Sequence, residues 1–106
     1  MHILNRMERK AMEIKVGQYY ALESTEEGST EVNIIKILPN KPNMLNVFAC
    51  TETLYVKDGQ VRDMYTTEWV KDSIKRRATK SETQLFKNTR EKMGELESYG
   101  ELVSSE

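Results

Sequence analysis

Between Val16 and Tyr65 hydrophobic and polar residues alternate with a period near two, the spacing of strands that bury one face. Val16, Tyr20 and Leu22 share one face of VGQYYALE, and Tyr19 and Ala21 share the other. EVNIIKIL sets Val32, Ile34 and Leu38 against Ile35 and Ile37, which predicts a strand buried on both sides at its centre. MLNVFACTE is a third strand candidate. In TETLYVKDGQVRDMY two β-rich runs flank Asp58-Gly59, a pair suited to a type I′ turn because both central residues need positive φ. With Lys57 and Gln60 closing the loop, Val56 lies across from Val61 with Leu54 on the same face. Tyr55, Arg62 and Met64 then fall together on the other. STEEGST reads as a polar loop and PNKPN as a strong break.

Beyond Tyr65 the pattern changes. Thr66 and Thr67 followed by Glu68, Trp69, Val70 and Ile74 predict a helical turn whose Trp69 plugs one end of the β structure. KRRATK reads as a connection, and Ser81 with Gln84 forms a capping-box pattern. It opens a helix over about 82–98, with Leu85, Thr89, Met93 and Leu96 on one stripe and Phe86 beside it, ended by Gly100. ELVSSE is expected to be solvated. At the other end Ile3, Met7, Ala11 and Ile14 keep helical spacing. A competing reading makes Met12 the start of the core sequence and residues 1–11 a translated leader; Met1, Met7 and Met12 all stand as starts.

Length and composition narrow the class. At 106 residues, 38% of them hydrophobic, the chain suits one small domain with a modest core. One cysteine, Cys50, excludes an internal disulfide framework and fits a reducing, cytoplasmic setting. No apolar run approaches the ~20 residues that span a bilayer, so no membrane partner is expected. The net charge of −1 hides a gradient. Residues 71–92 carry eight basic and three acidic side chains, and residues 93–106 carry four acidic and no basic ones.

The order strand, polar loop, two long strands, DG hairpin and Trp-bearing turn resembles the SH3-like small barrels, including Tudor-like and KOW-like modules. Val16-Gly17 with Tyr19-Tyr20, the Val32–Leu38 run, Asp58-Gly59 and Trp69 carry the resemblance, which covers roughly residues 15–75. It implies a mainly β (α+β) fold, a small five-stranded antiparallel barrel over 15–75 with a C-terminal amphipathic helix. Residues 1–14 would be an N-terminal extension, and 76–106 a basic connector, helix and acidic tail. Short length, a charged tail and a translated leader also resemble small phage-encoded early proteins, many of which bind and disable a host protein.

Little in the chain suits catalysis. The one histidine, His2, lies near the N-terminus and supports no nucleophile–base pair. Cys50 sits in an alternating strand and reads as a small buried hydrophobe. Four zinc ligands are lacking, Glu23, Glu26 and Glu27 miss the spacing of a calcium loop, and no phosphate-cradling glycine motif occurs. No enzyme, cofactor or metal is expected. The leading expectation is a non-catalytic protein that binds and modulates a bacterial host protein through Tyr55, Arg62, Met64, Leu85, Phe86 and Met93, residue types enriched at interfaces. The alternative is nucleic-acid binding by Lys75, Arg76, Arg77 and Lys80, with Tyr19, Tyr55 and Trp69 as stacking aromatics. A homodimer through paired C-terminal helices is a third reading.

Overall fold

The computed structural model describes the backbone of residues 12–104 and the side chains of residues 12–96. Five antiparallel strands form one sheet: β1 (Tyr19–Glu26), β2 (Ser29–Leu38), β3 (Phe48–Lys57), β4 (Gln60–Val70) and β5 (Arg76–Arg77). A 3-10 turn, Lys71–Ser73, links β4 to β5, and one helix, α1 (Lys80–Ser104), ends the chain. The strand order is β4-β3-β2-β1-β5. The fold is the expected mainly β (α+β) arrangement of five antiparallel strands and a C-terminal helix, but the outermost strands β4 and β5 do not pair with each other, so the sheet is not closed.

Two tight turns build most of the sheet. Asp58 and Gly59 have φ of 49° and 79°, the positive pair the DG motif demands. Glu27 and Gly28 do the same at 51° and 81°, so the polar stretch expected to be a loop is a second hairpin whose strands run up to the turn. The two turns dock side by side. Asp58 Oδ1 accepts from the Thr30 N–H at 2.8 Å and Oδ2 from the Ser29 hydroxyl at 3.2 Å, which holds the Asp58 carboxyl below its ordinary pKa.

β3 is one uninterrupted strand, joining the third candidate to the first arm of the hairpin. The fifth strand arises instead in the expected connector, where Tyr20 pairs with Arg77 and Ala21 with Arg76. Thr66–Val70 continue β4 rather than forming a helical turn. Trp69 packs against the buried cluster of its own sheet, its indole N–H donating to Thr53 Oγ1 at 3.1 Å. Thr53 and Thr51 are fully buried, their hydroxyls 2.9 Å apart, and the Thr51 hydroxyl donates to the Thr67 carbonyl.

The register divides the core between two faces. Tyr20, Ile35, Ile37 and Ala49 pack on one side with Ile74, under Met12, Ile14, Leu22 and Trp69. The buried Tyr20 hydroxyl accepts from the Lys15 N–H and donates to the Glu13 carbonyl, tying residues 13–15 to the sheet. Residues 12–14 are not helical, and the rest of the expected N-terminal helix lies outside the described residues. Ile34, Leu54 and Val56 pack on the opposite side against Phe86 of α1, with Tyr19, Val32, Met64, Ala78 and Leu85 around them.

α1 begins earlier and ends later than expected. Its cap is Thr79: the Thr79 hydroxyl accepts from the Glu82 N–H at 3.1 Å, and the Glu82 carboxylate accepts from the Thr79 N–H at 2.8 Å. The helix passes through both Gly94 and Gly100.

Candidate interaction surfaces

A β-bulge between Tyr55 and Val56 decides which hairpin side chains meet. Val56 faces Val61 as expected, but Tyr55 pairs with Asp63 and Leu54 with Met64, leaving Arg62 as the extra residue of β4. One inserted residue exchanges the faces of everything beyond it. Met64 therefore joins the α1 face with Leu54, while Tyr55 lies on the opposite face in a row with Thr53, Tyr65 and Thr67. The expected grouping of Tyr55, Arg62 and Met64 is corrected accordingly.

The helical half of the expected protein-binding set is divided too. Phe86 is 1% exposed, inserted among Ile34, Leu54 and Val56 and meeting the Tyr19 ring edge-on at 5.2 Å. Leu85 is half-buried in the same cluster. Both hold α1 to its own sheet, and Phe86 has no surface left for a partner. Met93, 37% exposed, is at the margin where α1 passes over β4.

The basic set does not converge. Arg76 donates to both Glu82 oxygens at 2.8 and 2.9 Å and to Glu23 at 2.9 Å, clamping β5, β1 and the first turn of α1. Its guanidinium is held firmly protonated, chiefly by Glu82, and the Glu82 carboxyl is pushed down in turn by Arg76. Arg77 pairs with Tyr20 on the face away from α1 and makes one long contact, 3.5 Å, to Gln18. Lys75 and Lys80 are exposed on either side. Tyr19, one of the proposed stacking aromatics, lies under α1 with the Lys36 and Lys87 ammoniums 6.0 and 5.6 Å from its ring.

The described cavities are shallow, about 180 to 370 Å³. Cys50 is buried and unpaired, as a small hydrophobe would be. Among the described residues no three His, Cys, Asp or Glu side chains gather as metal ligands, and no helix is long and apolar enough to cross a membrane.

The surface that sequence pattern missed is the half of the sheet opposite α1 and toward the turns. Leu22, Tyr55, Asp63 and Tyr65 line it, and among the described residues no element covers it. Tyr65 is 38% exposed. Tyr55 is fixed by its hydroxyl donating to Glu31 at 2.8 Å, which raises the phenol pKa. The bulge was the missing signal, because it brings Tyr65 to the face of Tyr55. No protein-family model, curated protein or solved structure matches the chain.

Proposed function

We propose that this chain is a non-catalytic protein-binding domain that modulates its target by occupying a surface. The contact is the helix-free face, with Tyr55 and Tyr65 at its centre and the bulged Arg62 on its β4 edge. One observation carries the reading: α1 consumes the apolar residues of one sheet face, while the other keeps half-exposed aromatics that no element of the described chain covers. Tyrosines held on a rigid sheet supply contact area at little entropic cost, and arginine at the rim adds directional pairing. A nucleic-acid reading ranks second, because Arg76 is spent on two carboxylates and Arg77 faces away from it.

The resemblance to small phage-encoded early proteins makes a bacterial host protein the target to seek. The test is capture from bacterial lysate on the immobilised chain, with and without nuclease. A stoichiometric protein retained after nuclease, and lost with Tyr55→Ala/Tyr65→Ala, supports the reading. Retention that disappears with nuclease, or survives the double substitution, contradicts it.

A further inference from the structure

β4 is an eleven-residue edge strand, and among the described residues nothing pairs with its outer side. Such edges present unpaired N–H and C=O groups and are normally blunted by charged side chains, lysine above all, by proline, a β-bulge, shortness or cover. β4 has neither lysine nor proline; its charged residues are Arg62, Asp63 and Glu68, and its one bulge, at Arg62, lies at the hairpin end and leaves Asp63–Val70 in regular pairing with β3. The other open edge, β1 beyond its short pairing with β5, carries only the like charges Glu23 and Glu26 and so has no opposite charges to set against a copy of itself.

β4 is also complementary to itself. If two copies run antiparallel about Tyr65, Arg62 of each stands opposite Glu68 of the other, Asp63 opposite Thr67, and Met64 opposite Thr66. Neither Arg62 nor Glu68 makes an ion pair among the described residues. Neighbouring registers lose this match. Centring between Tyr65 and Thr66 sets Asp63 against Glu68, and centring on Met64 or Thr66 leaves Arg62 facing Thr66 or Val70.

The helix points to the same edge. Glu82 is beside β5, Phe86 lies over β2 and β3, Arg90 reaches Glu52 of β3 at 3.4 Å, and Met93 sits with Met64, Tyr65 and Thr66 of β4. α1 therefore crosses the whole sheet from β5 to β4. Its 25 residues span about 37 Å, whereas five strands span about 19 Å, so its last turns overhang β4. Leu96, 67% exposed, lies where the overhang begins.

We infer that the partner of this edge is a second copy of the chain: β4 pairs with β4 across a two-fold axis at Tyr65, forming a ten-stranded sheet. The two α1 helices lie antiparallel on one face, and their overhanging turns cover Met93 and Leu96. The two-fold closes the assembly, because it uses both free β4 edges. The helix-free faces become continuous, with Tyr65 of both copies side by side. This dimer stands independently of any heterologous target, since purified chain alone reports it.

The experiment is sedimentation equilibrium of the full chain over a concentration series, with circular dichroism to confirm folding of each variant. Wild type is expected to be a dimer. Arg62→Glu and Glu68→Arg each set like charges in register twice, and each should weaken dimerisation by about tenfold or more. The double variant Arg62→Glu/Glu68→Arg restores both pairs and should return the dissociation constant to within about threefold of wild type. A wild-type monomer up to millimolar concentration, open-ended oligomers, or a double variant no tighter than the singles would overturn the proposal.

Discussion

The two faces of the sheet are built from the same strands, yet they differ in what finishes them. On one, Phe86 drops from α1 into a pocket of Ile34, Leu54 and Val56, and the Arg76 clamp fixes the helix start. On the other, a short segment around Met12 and Ile14, with Trp69 and Ile74, covers one half, and among the described residues no element covers the half toward the turns. The contrast teaches that hydrophobicity alone does not mark the working surface. The apolar residues of both faces are already packed, and what stays uncovered among the described residues is a half-polar patch with tyrosines.

Substitutions on each side should separate stability from binding. The largest effect is expected from Phe86→Ala, which empties a site 1% exposed and should lower unfolding free energy by about 3–5 kcal/mol in urea titration. A loss under ~1 kcal/mol would mean that α1 does not seal this face. Next, Thr79→Ala removes the hydroxyl that caps α1 and should cost about 1 kcal/mol. Arg76→Ala should cost a similar ~1 kcal/mol, since its two ion pairs are partly exposed and screened.

The Arg76 clamp also has a pH signature. Because Arg76 lowers the Glu82 pKa on folding, the pair's contribution is full above the ordinary glutamate range. It is lost as pH falls through the depressed folded value. Thermal melts of wild type should fall in that acidic window, and Arg76→Ala should show a shallower fall; equal slopes would remove Glu82 from the account. The smallest stability effect belongs to the open face. Tyr65→Ala should change unfolding free energy by no more than ~0.5 kcal/mol while reducing capture of the target.

Much of the sheet was legible in the sequence because its signals are local. Ile34, Ile35 and Ile37 mark a strand buried on both sides, and Asp58-Gly59 marks a turn that only positive φ permits. What was not legible depends on tertiary choice. No glycine advertises the bulge at Arg62, so the faces of Tyr55 and Met64 could not be read from alternation. Thr79-Glu82 and Ser81-Gln84 both fit a capping box; the first is used, and its Glu82 also receives Arg76. Arg76-Arg77 has no strand pattern and pairs only because β1 has a free edge. The candidate site was half legible: Tyr55 and Arg62 stand in the exposed hairpin region, whereas Leu85 and Phe86 turned inward because the helix needed them for its own docking.

The most direct test of an open, working face against a sealed one is site-specific photo-crosslinking. A benzophenone side chain is placed at Tyr65 on one face and at Lys87 on α1 on the other, each in nuclease-treated bacterial lysate. A discrete heterologous adduct is expected from position 65 and none from position 87. An adduct confined to position 87 would contradict this and move the binding surface to α1.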